Sequence, residues 1–465
     1  MLDAWGELRH FREGLPYPDA VETWRGHYRI GDNVDLDISR LDDDAVGERR
    51  IGRSERMHRR RLPHALRRRR AGRRAAATRR LCGEKARSYD RRRLTRFVGL
   101  RRAVALVVVF VTAASAVGTA PGFTKPQRRA MSRAVRGAMI ASYFPGVAVG
   151  IWSPKGTFVK AFGKADARTG RRLRVTDRFR IGSITKSFTA TIVLQLAQEG
   201  KLALDQPLSD FLPSIPHASS ITIRELLNHT SGMPDTAPAT QAELLAHPRR
   251  NLDIDDVITA SVALPWGPIG VYSYSDTGYQ VLGKIVEQVT KHPLAQEYRK
   301  RILRPLHLTH TSFVPGSALP GPYAHGYAWL TGFRPRDVSH WTTSYAWAAG
   351  SMVSTLGDLK RWAPALATGR GVLDAAFQSQ RLTFVPTNDA YGINYGLGIW
   401  QLGAFLGHDG GIPGYNSLVL YSPTLKTTFV ALTTSSFLAT PPGSFQLTTV
   451  QLAAALLAIV DPPAR

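Results

Sequence analysis

Arg180-Ile181-Gly182-Ser183-Ile184-Thr185-Lys186-Ser187-Phe188-Thr189-Ala190 is the stretch whose reading decides the fold. Residues 159–162 and 179–181 upstream have strand character. Downstream, Phe188, Ile192, Leu196 and the apolar positions between them keep helical spacing up to Gly200. Ser183 therefore sits where a strand feeds the first turn of a helix, with Lys186 three residues on and on the same face. A serine hydroxyl is a poor nucleophile until a base takes its proton, and a lysine one turn away can do that or assist another group. The helix N-terminus disfavours an ammonium and favours an oxyanion. Taken alone, the pair has a plainer explanation, an N-cap serine beside a solvated lysine.

Working outward, the chain has 465 residues, enough for about two or three domains. Its 43% hydrophobic and 9% aromatic content supplies a packed core. The net charge of +26 resembles that of a nucleic-acid binder, but it is unevenly spread. Residues 51–102 hold 20 Arg and one Lys against Glu55, Glu84 and Asp90, which is +18 of the total. No aromatic interleaving or recognised binding module accompanies that tract, so no nucleic-acid partner is expected. Cys82 is the sole cysteine and lies inside it, which excludes a disulfide framework and a cysteine zinc site.

Residues 1–102 read as an Arg-rich leader unable to bury enough surface to fold alone. Residues 103–120 are apolar, follow Arg101 and Arg102, and contain Ala114-Ser115-Ala116. That is the pattern of a signal peptide, or of a signal anchor with a basic cytoplasmic tail. Marginal length together with Thr112, Ser115 and Gly118 favours cleavage. A signal peptide with a hundred residues ahead of it is unusual, and a start at Met57 or near Arg91 would shorten the leader. Either way the remainder is expected outside the cytoplasm, with the membrane a partner only where the run stays uncleaved.

Residues 125–463 read as one hydrolase domain. A first helix spans 127–141, a β-hairpin 147–162, and the Ser183 helix follows. Residues 204–346 read as short helices and Pro/Gly-rich loops. A helix at 355–367, strands at 395–401, 417–421 and 427–432, and a final helix at 448–459 complete the chain. Strands at both ends, 125–203 and 347–463, around a helical insert indicate an α+β fold with the Ser183 helix at the junction, where pockets form.

Three further segments bear on chemistry. Leu226-Leu227-Asn228-His229-Thr230-Ser231-Gly232-Met233-Pro234 reads as a helix end stopped by Gly232 and Pro234. Tyr272-Ser273-Tyr274-Ser275-Asp276-Thr277-Gly278-Tyr279 leads into a helix with Asp276 or Thr277 as N-cap. There Tyr274, beside a lysine ammonium, would be stabilised as a phenolate base for Ser183. Leu406-Gly407-His408-Asp409-Gly410-Gly411-Ile412 is either a glycine-rich turn or an edge strand offering the Gly411 amide opposite that of Ser183.

Ser183-x-x-Lys186, Tyr274-x-Asp276 and His408-Asp409-Gly410, in that order and spacing, resemble the three motifs of the serine β-lactamase and penicillin-binding superfamily. The branch they are most similar to holds class C β-lactamases, DD-carboxypeptidases and related esterases. The similarity covers about residues 125–460 and extends to 227–232, 303–313 and 349–359. The resemblance implies an antiparallel sheet flanked by helices and an acyl-enzyme on Ser183, with Lys186 and Tyr274 handling its proton. It places Asp276 against the substrate amide, with His408, Asp409 and Gly410 also binding substrate. His408 would hold a carboxylate or steer protons, and the Ser183 and Gly411 amides would form the oxyanion hole. Two positions depart from the pattern. Asp276 stands where an Asn is usual, and an ionised carboxylate only accepts hydrogen bonds. Asp409 replaces a hydroxyl that helps hold a carboxylate, which moves the expectation toward neutral esters.

No Gly-x-Ser-x-Gly elbow and no Walker-type phosphate loop occur. His307 and His310 lack accompanying carboxylates, so neither a metal nor a cofactor is expected. The functional expectation is an exported serine hydrolase acting on D-alanyl peptides or β-lactams. A small-ester hydrolase of the same fold and a catalytically silent cell-wall-binding relative stand as alternatives.

Overall fold

Apolar side chains at every second position of two long strands point alternately into two different cores, and this period-two pattern makes the sheet the middle layer of the fold. A computed structural model describes residues 122–142, 144–329, 335–389, 392–437 and 449–461, plus the backbone of the short antiparallel pair Tyr28–Arg29 and Asp35–Leu36. The Arg-rich tract and the apolar run 103–120 lie outside the described residues. Among the described residues no helix is long and apolar enough to cross a membrane.

The sheet has eight strands: β1 (Gly146–Ser153), β2 (Gly156–Gly163), β3 (Val385–Pro386), β4 (Asn394–Tyr395), β5 (Trp400–Leu402), β6 (Phe405–Ile412), β7 (Tyr415–Ser422) and β8 (Thr427–Thr433). Their spatial order is β3-β4-β5-β6-β7-β8-β1-β2, antiparallel throughout. The N-terminal hairpin thus pairs with the C-terminal strands through β8 and β1, with Thr428 opposite Trp152.

Val147, Val149 and Ile151 of β1, with Phe429 and Ala431 of β8, face α1 (Lys125–Ala141) and α5 (Thr449–Val460). The intervening Ala148, Val430 and Leu432 face α2 (Ile184–Gln198) and α4 (Leu356–Thr368). Helix α1 starts two residues earlier than its apolar spacing suggests. Thr124 forms a capping box, its hydroxyl accepting from the Gln127 N–H while the Gln127 side chain accepts from the Thr124 N–H.

The insert carries short helices, among them Ile223–Leu227, and the longer α3 (Asp276–Thr290). The expected α+β architecture is observed, with three local differences. Residues 395–401 form two strands rather than one, β4 and β5, because Gly398 turns the chain at φ +72°. Helix Ile223–Leu227 stops before Gly232, with Asn228 as C-cap. Ser275, not Asp276 or Thr277, caps α3, its hydroxyl accepting from the Gly278 N–H at 3.1 Å.

Candidate active site

A backbone contact that only glycine permits builds the site. Gly182 turns the chain at φ +49°, and a Cβ there would lie 2.7 Å from the Gly411 carbonyl oxygen. A Cβ on Gly410 would lie 2.0 Å from the Ile181 carbonyl oxygen and 2.9 Å from the Ser183 nitrogen. The turn ahead of α2 is thereby pressed against β6. Ser417 locks the contact, its hydroxyl reaching the carbonyls of Ile181 at 2.8 Å and Gly410 at 3.2 Å. Strand β5 pairs only with residues 405–407 of β6. From His408 onward β6 has no strand on that side among the described residues, so it behaves as an edge strand within the sheet rather than as a turn.

Ser183 has helical dihedrals and its hydroxyl caps nothing, unlike an ordinary N-cap serine. Lys186 is fully buried. Its Nζ donates to Ser183 Oγ at 3.0 Å, Asp276 Oδ1 at 2.5 Å and the Ala349 carbonyl at 3.2 Å, and stands 4.7 Å from the Tyr274 ring centre. Three acceptors around one nitrogen match the three protons of an ammonium.

Tyr274 differs from the phenolate expected from sequence. Burial pushes its pKa well above 10, and the Asp276 and Asp409 carboxylates add to that, outweighing its hydrogen bond to Ser183. It is a phenol at rest.

His408 was expected to hold a substrate carboxylate or to steer protons, and its surroundings oppose the first of these. It is fully buried and stacked on Trp400, with both nitrogens engaged. Nδ1 lies 2.6 Å from the Asp409 carbonyl, which only accepts, so Nδ1 carries the proton and Nε2 accepts from Tyr395 Oη at 2.8 Å. Burial lowers its pKa to about 3, with Lys186 contributing, so the ring is neutral and has no nitrogen left for a carboxylate.

Carboxylates occupy the substrate side. Asp276 is about one quarter exposed, and its N–H donates to Asp235 Oδ1 at 2.8 Å. Burial raises the Asp235 pKa, and the neighbouring Asp276 charge raises it further. Asp409 alternates with His408 along β6, and its side chain is 41% exposed. Desolvation in the cleft pushes its pKa up to about 7, with the Lys186 charge pulling the other way. Among the described residues no group of acids, histidines and cysteines is arranged to hold a metal ion.

Sequence reasoning missed Asp235, Tyr395 and the Ala349 carbonyl, which no local pattern singles out. It placed His229 at a helix end and within the matching stretch 227–232 but gave it no chemical role, yet His229 is buried against Tyr274, Tyr279 and Tyr395.

Comparison with known proteins follows this geometry. The family model described as Beta-lactamase matches residues 131–445. The chain is 26% identical over 268 residues to a putative penicillin-binding protein, PbpX, of Bacillus subtilis (strain 168), covering 58% of this chain and 65% of that one. It is 29% identical over 251 residues to protein flp of Staphylococcus aureus (strain N315), covering 51% and 49%. The chain therefore spans under two thirds of each relative's length. Among solved structures, a D-stereospecific amidohydrolase from Streptomyces sp. superimposes with a TM-score of 0.63 at 29% identity, over 73% of this chain and 99% of the other. The D-amino acid amidase of Ochrobactrum anthropi SV3 gives 0.62 at 26%, over 71% and 98%.

Proposed function

The chain belongs to the beta-lactamase family of serine hydrolases, which act through an acyl-enzyme, and from that premise we propose that it cleaves amides or esters of D-amino acids bearing a free α-ammonium group. Asp409 carries this reading. Where a β-lactam or a D-alanyl peptide presents a carboxylate to the third motif, this chain presents a carboxylate of its own beside a neutral imidazole. A substrate carboxylate is repelled there, whereas an ammonium meets Asp276, Asp409 and, behind them, Asp235. The likeness to two amidohydrolases over nearly their whole length supports the same conclusion.

In this reading Ser183 Oγ attacks the carbonyl carbon, and the oxyanion is held by the amides of Ser183 and Gly411. The amine or alcohol departs with a proton, and water then releases the D-amino acid and restores the hydroxyl. The Ser183 proton has two acceptors within reach. Lys186 accepts after passing one of its own protons to Asp276, to which it is already bonded. Tyr274 accepts only as phenolate, which its burial opposes. The Lys186 and Asp276 pair thus acts as one proton-holding unit, with Tyr274 relaying through its hydroxyl.

The test compares turnover of D-phenylalanine amide, its N-acetylated form, a D-alanyl-D-alanine peptide and a penicillin. Hydrolysis of the free amide, at least about tenfold better than of the acetylated one, is expected for one lost charge contact. Turnover of penicillin or the dipeptide without the amide would sink the proposal. Export through residues 103–120 belongs to the same proposal, and N-terminal sequencing from the native host should find a mature end near Val117.

A further inference from the structure

His229 shows two features that a purely structural residue rarely combines. It holds a left-handed backbone, φ +63°, a conformation that a side chain bearing a Cβ disfavours. Its Nε2 is buried with no hydrogen-bond partner among the described residues. Both are kept in the segment packed against the loop that carries Tyr274.

In that conformation the carbonyl and the imidazole of His229 address the same stretch of chain. The carbonyl accepts from the Ser273 N–H at 2.8 Å, and Nδ1 accepts from the Ser275 N–H at 3.2 Å. The residue between these two amides is Tyr274, and the His229 ring lies 4.4 Å from its ring at 36°. Tyr395 and Tyr279 close the far side at 4.7 and 5.1 Å.

We infer that His229 is a positioning residue: it clamps the backbone on both sides of Tyr274, backs its ring, and so holds the phenol against the Ser183 hydroxyl. The clamp needs a neutral imidazole, since a protonated Nδ1 cannot accept from Ser275. Burial supplies that condition, and the charge of Lys186 pushes the same way. The arrangement also explains why the orphan Nε2–H is tolerated. Accepting at Nδ1 fixes the other tautomer, and the tyrosine rings around it leave that proton unserved. The other contacts between the two segments do not involve the His229 side chain: Gly270 N–H to Thr230 O at 2.7 Å, Gly267 N–H to Gly232 O at 2.8 Å and Ser275 Oγ to Pro234 O at 2.9 Å survive its loss.

The inference rests on Tyr274 taking part in moving the Ser183 proton, and its test uses no proposed substrate. The rate at which a fluorophosphonate modifies Ser183 reads activation of the hydroxyl whatever the natural substrate is. An Asn side chain places its carbonyl oxygen near the position of Nδ1 and tolerates the left-handed backbone, whereas Gln places its oxygen near the position of Nε2. His229→Asn should keep the maximal modification rate within about threefold. His229→Gln and His229→Ala should lose about 10²-fold, the scale of an ångström-sized misplacement, with the half-saturating reagent concentration little changed. Equal rates in all three variants would overturn the inference. So would the reverse order, with Gln active and Asn slow, which would give the role to Nε2. Should His229→Ala fail to fold, the Asn and Gln pair still decides. Normal fluorophosphonate chemistry without hydrolysis of D-phenylalanine amide would refute the substrate reading and leave this inference standing.

Discussion

Arg180 and Lys186 are two buried cations six positions apart on either side of the Ser183 turn, and they are held in opposite ways. The Arg180 guanidinium enters a socket of neutral oxygens, the Thr343 hydroxyl at 3.1 Å and the carbonyls of Gly316, Ala318, Ser339 and Trp341 at 3.1 to 3.3 Å. None of these partners can take its proton. Lys186 has one carbonyl, one hydroxyl and one carboxylate, and the carboxylate opens onto the cleft. The partners decide what a buried cation does: the socket fixes the turn, whereas the pair can exchange a proton.

That contrast breaks if the two residues behave alike when removed. Lys186→Met should slow Ser183 modification by about 10³-fold or more while changing unfolding free energy by roughly 1 kcal/mol, because Asp276 regains water. Arg180→Met should do the opposite, costing about 3–5 kcal/mol by leaving its carbonyls unpaired, while the folded fraction still reacts with fluorophosphonate. Denaturant titration beside labelling kinetics reads both, and equal activity losses would end the distinction.

The comparison sharpens at the open end of the Lys186 pair. Asp276→Asn should reduce the preference for free over N-acetylated D-phenylalanine amide about tenfold, one charge contact's worth. An unchanged ratio would remove Asp276 from ammonium recognition. The KM for the free amide should fall as pH rises toward about 7, where Asp409 ionises, and rise again above about 8 as the substrate amine loses its proton. Asp409→Asn should flatten the acid side of that profile.

A separate effect, read only in stability, concerns the neutral rings behind the pair. His408 is folded with its pKa lowered to about 3, so below about 6.5 the unfolded chain binds a proton that the folded one does not. Stability should therefore fall with acid between about 6.5 and 3, by up to about 1.4 kcal/mol per pH unit for each such imidazole. His408→Gln should reduce that slope.

The elements whose residues are local in sequence were legible from it. Ser183 and Lys186 share a helical turn, and alternation marks the hairpin 147–162 and strands β7 and β8. The aromatic and acidic surroundings were not legible. Tyr395 reaches His408 only because the chain folds back at Gly398, and Asp235 meets Asp276 across 41 residues. The Arg180 socket is closed by backbone carbonyls, which carry no sequence identity at all. His229 was visible in its motif, but a glycine and a proline just downstream offered a sufficient local explanation, and its left-handed turn is a tertiary property.

Pairing β1 with β8 has a consequence in time. Thr428 and Trp152 are about 280 residues apart, so at about 5–20 residues per second a growing chain waits roughly 15–55 s before the hairpin finds its neighbour. Throughout that interval the outer edge of β1, rich in valine and isoleucine, is unpaired and exposed to any strand nearby. The amides of Ser183 and Gly411 come together only after a similar wait, since the two residues lie on opposite sides of the insert. Every nascent copy therefore passes through a stage in which that edge is unpaired and the Ser183 turn lacks its β6 neighbour.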